Sequence, residues 1–138
     1  MAIILFFIFL FLVKPVLAEN TVKIVDFSSN SEPEWIEIVN FSSEPIDLSG
    51  WYFKDASNTK KNITNICLSV GATQVFEYSN YLNNSGGDTI TIYNQNDVSV
   101  DTVSYTTGTT KDKPSNTNTC SLPTPTLTPT LIPTNTPT

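Results

Sequence analysis

Acidic side chains are the most numerous ionisable groups in this 138-residue chain. Thirteen Asp and Glu stand against seven Lys, and the sequence contains no His and no Arg. Without imidazole there is no ordinary Ser-His or Cys-His nucleophile pair and no His ligand for zinc. Glu34 with Glu37, or Asp47 with Asp55, could form an acid–base pair, but solvated surface carboxylates are the simpler interpretation. We therefore expect no enzymatic activity, no catalytic residue and no cofactor.

Calcium is the metal that the residue types suit best, because Ca²⁺ takes oxygen ligands from carboxylates and amides. Asp88, Asn96 and Asp97 lie in or beside predicted loops where such oxygens could converge. Their spacing matches no loop signature such as the EF-hand. They are weak calcium candidates, and the sequence predicts no definite metal site.

Aromatic residues offer a second kind of site, because an aromatic ring can stack on the C–H face of a sugar. Trp35 and Tyr81 are the candidate ligand-facing residues. Trp51 follows a Gly turn and stands close to Leu48, so we assign it to the core. The strand neighbours of Trp35 are of mixed polarity, which leaves its exposure open.

The two cysteines, Cys67 and Cys120, both lie beyond the predicted leader. An even count in an oxidising compartment favours a disulfide between them. On the chain-entropy model this bond would stabilise the fold by about 4 kcal/mol, and it would fasten the start of the tail to the domain. Two separate thiols are the alternative, because Cys67 stands between apolar Ile66 and Leu68, where a free Cys is often simply buried.

The segment between these ends has the rhythm of an all-β fold: short runs of Val, Ile, Thr and aromatic residues alternate with Gly, Asn, Ser and Pro. Ile36 and Ile38 fall on one face of a strand, and Ile90 and Ile92 alternate with Thr and Tyr in another. The polar link 94–97 predicts a hairpin turn. The predicted strands are 22–27, 34–40, 51–54, 62–66, 73–78, 89–93 and 98–105.

Both ends of the chain differ from this middle segment. Residues 3–13 are an unbroken apolar run, and the compact residues Val16 and Ala18, three and one positions before a cut after Ala18, predict a cleaved signal peptide over residues 1–18. A retained anchor is the alternative, although eleven apolar residues are short of the roughly 20 that span a bilayer. After Cys120 proline recurs every four residues, which predicts an extended Pro/Thr-rich stalk; a disordered tail with no role is the alternative.

The formal net charge of −6 argues against two classes of partner. Binding to a phosphate backbone needs clustered Lys or Arg, so we expect no nucleic-acid partner. The same charge disfavours anionic membrane surfaces, and we expect no membrane span in the mature chain.

Four segments, in their order along the chain, resemble the lamin-tail domain family. They are Glu34-Trp35-Ile36-Glu37-Ile38-Val39-Asn40, then 43–51 ending in Asp47-Leu48-Ser49-Gly50-Trp51, then 82–92 with Asp88-Thr89-Ile90-Thr91-Ile92, and finally Val100-Asp101-Thr102-Val103-Ser104-Tyr105. The resemblance implies an immunoglobulin-like β-sandwich of lamin-tail type over residues 19–108, followed by a linker and a disordered Pro/Thr tail over 109–138. It also implies an interaction or tethering role.

We therefore expect a secreted or cell-surface module that is not an enzyme and whose partner is an unknown protein or glycan at the cell surface. A carbohydrate-binding accessory module is one alternative. A fragment of a larger secreted hydrolase is the other.

Overall fold

Every regular element in the part of the chain that the structure describes is a β-strand. The computed structural model describes residues 22–64 and 66–120. The predicted leader, residues 1–18, and the predicted Pro/Thr tail beyond residue 120 lie outside this part. No helix in it is long and apolar enough to cross a membrane. The nine strands are β1 (Val22–Ser28), β2 (Glu34–Asn40), β3 (Ile46–Asp47), β4 (Tyr52–Lys54), β5 (Lys60–Asn62), β6 (Cys67–Leu68), β7 (Thr73–Tyr78), β8 (Asp88–Tyr93) and β9 (Ser99–Tyr105).

The strands form an immunoglobulin-like antiparallel sandwich, which confirms the predicted fold class. One sheet has three strands in the order β1-β2-β7, and the other has four in the order β5-β4-β8-β9. A short ribbon of β3 and β6 is the third paired unit. The polar link 94–97 joins β8 to β9 as a hairpin, in which Asp97 donates its backbone N–H to the carbonyl of Asn94.

The core lies between the two main sheets. Ile36 and Ile38 enter it from the three-stranded sheet, and Phe53, Ile90 and Ile92 enter it from the four-stranded sheet; all five are fully buried. The alternation of apolar and polar residues along β2 and β8 predicted this arrangement. Trp51 also belongs to the core, as the sequence indicated.

The strand predicted over residues 62–66 is wrong. The structure ends β5 at Asn62 and starts β6 at Cys67, with a loop between them. Ile63 is buried in the core, and its N–H donates to the carbonyl of Trp51. Ile66 accepts a backbone hydrogen bond from Leu48. These two apolar residues therefore enter the interior from a loop, and they do not share the face of one strand.

The segment after β9 crosses the outside of the three-stranded sheet, and we call residues 106–120 the C-terminal strap. At β1 the backbone N–H of Ser29 donates to the carbonyl of Thr109, and Ser28 Oγ accepts the N–H of Lys111. At the free edge of β7, Asn116 Oδ1 and Thr117 Oγ1 accept the N–H groups of Val75 and Thr73. The strap thus covers part of an edge that would otherwise be open to pairing with another chain.

The strap ends at a disulfide between Cys120 and Cys67 of β6, which confirms the predicted pairing. Asn118 fastens the same region, because its side-chain amide donates to the carbonyl of Cys67 and its oxygen accepts the N–H of Ser69. Residues 109–120, where we expected the linker to begin, therefore lie against the sandwich.

The strap explains the burial of Trp35, which points away from the core. Trp35 is paired with Ser28 on one side and Glu77 on the other. Strap residues bind both neighbours: Thr109 and Lys111 bind Ser28, and Lys113 forms an ion pair with Glu77. The strap crosses at the level of Trp35, whose side chain is only 1% exposed.

We predict that the double substitution Cys67→Ser with Cys120→Ser lowers the free energy of unfolding by about 4 kcal/mol, because the bond closes a long loop. The freed strap should also expose Trp35 and shift the tryptophan fluorescence emission to longer wavelength. Urea unfolding and emission spectra measure both effects, and the emission shift should vanish in a Trp35→Phe background. Unchanged emission and unchanged stability would contradict the role given to the strap.

Gly86 and Gly87 provide a matched test of the loop before β8. Both have positive φ, but a Cβ on Gly87 would lie 2.2 Å from the carbonyl oxygen of Tyr105, whereas one on Gly86 would meet nothing within 4 Å. We expect Gly86→Ala to cost about 1 kcal/mol for its backbone conformation alone, and Gly87→Ala about 3 kcal/mol or more. Equal losses in urea unfolding would show that the close approach to β9 is unimportant.

Candidate functional site

Trp35 and Tyr81, the residues expected to face a ligand, are both buried. Trp35 lies under the C-terminal strap, and Tyr81 is 5% exposed. The ring of Tyr81 packs on Tyr78 with its centroid 5.1 Å away, and Lys61 Nζ lies 5.4 Å from the centroid of Tyr81. Both rings are covered by neighbouring residues, so neither offers a free face for stacking on a sugar.

Tyr78 and Tyr81 belong to an aromatic cluster on the side of the sandwich between β5 and β7. The edge of the Tyr78 ring meets Phe53, which in turn packs against Phe76. The hydroxyl groups of Tyr78 and Tyr81 have no hydrogen-bond partner among the described residues. Burial raises the pKa of both phenols far above the usual value. This cluster fills the interior and offers no ionised group to a ligand.

The carboxylate of Asp88 is hydrogen-bonded to backbone N–H groups. Its two oxygens accept N–H groups from Ala56, Asn83 and Thr89 at 2.7–3.1 Å. Glu34 does the same for the neighbouring segment, since its Oε2 accepts the N–H groups of Tyr81 and Leu82 at 2.7 and 2.9 Å. Both carboxylates are buried and satisfy donors that would otherwise be unpaired in the interior.

The calcium candidates do not converge. Asp88 opens β8, whereas Asn96 and Asp97 lie in the turn beyond its other end, so a strand of about 17 Å separates them. Asp97 Oδ1 accepts the hydroxyl of Tyr52. Within residues 22–64 and 66–120, no group of three or more acidic or cysteine side chains is placed to hold a metal ion.

Neither candidate acid–base pair is available for catalysis: the members of one point to opposite faces, and those of the other are hydrogen-bonded within their own turns. Glu34 and Glu37 are three residues apart in β2 and therefore point to opposite faces. Asp47 accepts the hydroxyl and the N–H of Ser49, and these hydrogen bonds lower the pKa of its carboxyl. Asp55 accepts hydrogen bonds from residues of its own turn, Ser57 and Thr59.

The outward face of the four-stranded sheet is the surface best organised for binding, and we call it the tyrosine–lysine face. The strand register places its side chains in three rows. The rows are Asn62–Tyr52–Tyr93–Ser99, Lys60–Lys54–Thr91–Thr102 and Thr89–Ser104. These ten positions include no carboxylate and no aliphatic side chain.

Two stacked tyrosines form the centre of this face. The rings of Tyr52 and Tyr93 are paired across β4 and β8, with centroids 5.0 Å apart and planes 9° from parallel. Tyr52 is buried beneath its neighbours, while Tyr93 is only partly buried. The hydroxyl of Tyr52 donates to Asp97 Oδ1 at 2.8 Å, which ties the ring to the β8–β9 turn.

Two lysines lie beside the tyrosines. Lys60 Nζ is 3.7 Å from the centroid of Tyr52, and Lys54 Nζ lies 5.7 Å from Tyr52 and 5.4 Å from Tyr93. In the described residues, the lysines with an acidic partner are Lys23, Lys111 and Lys113, and Lys54 and Lys60 are not among them. Their charges are therefore available on the surface of an acidic protein.

Hydroxyl groups complete the face on the side of β9. Thr91 is hydrogen-bonded to Thr102 at 3.0 Å and Thr89 to Ser104 at 2.9 Å, and in both pairs either oxygen can be the donor. The sequence indicated that Thr89, Thr91 and Tyr93 lie opposite the buried isoleucines. It held no signal for the pairing of β4 with β5 and β8, which brings Lys54, Lys60 and Tyr52 to the same place.

A model of the Lamin Tail Domain family matches residues 15–107 of the chain. The match includes all nine strands and ends at the start of the strap. No curated protein and no solved structure matches the chain.

We predict that Asp97→Asn lowers the pKa of Tyr52. Burial is the largest cause of the raised pKa, and the hydrogen bond to Asp97 is the next, so the pKa should fall but stay above its usual value. Ultraviolet titration of phenolate formation measures this shift. The step that disappears in Tyr52→Phe is the ionisation of Tyr52. Asp112→Asn removes one negative charge from the strap instead and should leave the pKa of Tyr52 unchanged.

The same raised pKa gives a stability prediction with a definite sign. The contribution of Tyr52 to folding is fully present below its unfolded-state pKa of about 10, and it is lost as pH rises through the folded-state pKa. Tyr52→Phe should therefore reduce the fall in unfolding free energy above pH ~10. A variant whose stability falls with pH as steeply as that of the native chain would contradict this assignment.

Proposed function

The chain belongs to the lamin tail domain family, and from this we propose that it is a non-enzymatic binding module that works outside the cell membrane. The family is one of immunoglobulin-like interaction domains and is not a known enzyme family. In this proposal the leader directs export, the sandwich presents a rigid surface, and the Pro/Thr-rich segment after Cys120 serves as a stalk.

The observation that carries this proposal is the disulfide between Cys67 and Cys120. Disulfides persist in oxidising compartments and are rare where glutathione and thioredoxin keep thiols reduced. The bond joins the sandwich to the last residue before the Pro/Thr-rich segment, which is the position where a tether would be fastened. An apolar leader and an oxidised cysteine pair both fit an exported chain.

The placement of the chain ends supports a tethering role. Val22, the first described residue, pairs with Asn40, whose side-chain amide donates to the carbonyl of Leu68. Leu68 follows Cys67, so Val22 and Cys120 leave the sandwich at the same end. A stalk that begins there leaves the opposite loops and the tyrosine–lysine face free to meet a partner.

A carbohydrate-binding accessory module is the second candidate. The stacked Tyr52–Tyr93 pair favours it, because a partly exposed aromatic residue on the same face as the hydroxyl groups of Thr91 and Thr102 suits a sugar. This candidate concerns the ligand of the module, and it is compatible with display on a stalk.

Export can be tested with the full chain, carrying an epitope tag after Thr138, in a bacterium that has a periplasm. We expect an exported product whose intact mass begins at Glu19 and which takes up alkylating reagent at two cysteines only after reduction. Leu10→Arg interrupts the apolar run and should keep the chain in the cytoplasm, because the leader is no longer recognised.

Two results would count against the proposal. A cytoplasmic product with two alkylatable cysteines would contradict export. A membrane-bound product that retains residues 1–18 would replace the cleaved leader with an anchor.

A further inference from the structure

The tyrosine–lysine face carries a local excess of positive charge, because Lys54 and Lys60 lie beside Tyr52 and one carboxylate, that of Asp97, accepts the Tyr52 hydroxyl. The chain as a whole has a net charge of −6. The ten outward positions nevertheless include Lys54 and Lys60 and no Asp or Glu. By contrast, the outer face of the three-stranded sheet is crossed by the strap, whose Lys111 and Lys113 are paired with Asp26 and Glu77.

Lys54 and Lys60 are direct partners in the β4–β5 ladder. Like charges placed directly opposite each other across two strands destabilise a sheet. Both ammonium groups also lean over the ring of Tyr52, so they approach one small region of the surface. An anionic group bound between them would replace the repulsion with two charge-assisted hydrogen bonds.

The rest of the face indicates what kind of molecule would carry this anionic group. Tyr93 is partly exposed and its ring is stacked on Tyr52, and the register continues the row of lysines into Thr91 and Thr102. Protein–protein interfaces are usually depleted of lysine at their centre, whereas Lys54 and Lys60 lie beside the tyrosine pair at the centre of this face. Sugars need an aromatic platform and hydroxyl groups that can either donate or accept, and both are present here.

We propose that the tyrosine–lysine face binds a polysaccharide that carries carboxylate groups. A carboxylate lies between Lys54 and Lys60, the C–H face of a sugar ring stacks on Tyr93, and hydroxyl groups of the same polymer bond to Thr91 and Thr102. This inference rests on the proposed function, since it names the ligand of the exported module.

Charge density favours this polymer over a nucleic acid. Duplex DNA carries one negative charge per ~1.7 Å, which a strongly acidic protein with only two lysines on this face would repel. A polysaccharide with one carboxylate per sugar, or fewer, places its charges farther apart. Two lysines can then neutralise a carboxylate while the remaining contacts are made by neutral groups.

The test measures equilibrium binding of the purified full chain to immobilised polygalacturonate, alginate and hyaluronan. We expect binding to at least one of these three, with affinity that falls as salt is added. The same polymer with its carboxylates methyl-esterified keeps the sugar and loses the charge, and polyglutamate keeps the charge and loses the sugar. Both should bind at least about tenfold more weakly.

Variants locate the contact. Lys54→Gln with Lys60→Gln should weaken binding at least about tenfold, whereas Lys111→Gln with Lys113→Gln removes the same two charges from the strap and should change it less than about twofold. Tyr93→Ser should also weaken binding several-fold without any change of charge. Far-ultraviolet circular dichroism checks that each variant keeps the native fold.

Four results would overturn the proposal. They are binding to none of the three polysaccharides, equal binding to polyglutamate, tighter binding to duplex DNA, and equal losses from the two lysine pairs. Equal binding to polyglutamate would point to an acidic protein partner. A chain that is exported and oxidised but binds no polymer would refute this inference alone, whereas a reduced cytoplasmic chain would refute the proposed function itself.

Discussion

The pairing of Phe53 with Ile92 across β4 and β8 decides which side chains the four-stranded sheet offers to solvent. Both residues are fully buried, and successive side chains in a strand point to opposite faces. Tyr52, Lys54 and Tyr93 must therefore point outward together. A slip of one residue in this ladder would expose the core and bury the lysines, so the hydrophobic effect that folds the sandwich also fixes its surface.

Acidic residues have structural roles in this molecule that their number alone does not indicate. Glu34 and Asp88 are buried and accept five backbone N–H groups between them, which holds the loop between β7 and β8 against its neighbours. Asp101 accepts the N–H of Ile24 and so links the edge of β1 to β9 in the other sheet. These carboxylates replace hydrogen bonds that the loops and edges cannot make within a ladder.

Local patterns in the sequence predicted the longer strands, and the family resemblance supplied the sandwich; the short strands β3, β5 and β6 were not predicted. Alternation predicted β2 and β8 nearly to the residue, the polar link 94–97 predicted its hairpin, and the two cysteines predicted their bond. The candidate site was predicted poorly, because it depends on which strands become neighbours. Trp35 is buried by a strap more than 70 residues later in the chain, and Lys60 reaches Tyr52 only through the pairing of β4 with β5. Such long-range contacts leave no trace in the spacing of neighbouring residues.

The bond between Cys120 and Cys67 also sets the path of mechanical force. Tension applied to the chain after Cys120 passes through the two sulfur atoms into β6, and so it bypasses the loop that the bond closes. The strap, β7, β8 and β9 lie within that loop, so the covalent path of the load does not run along them. While the bond is intact, a pull on the chain beyond Cys120 is delivered to β6 and cannot detach the strap or β9 from its C-terminal end.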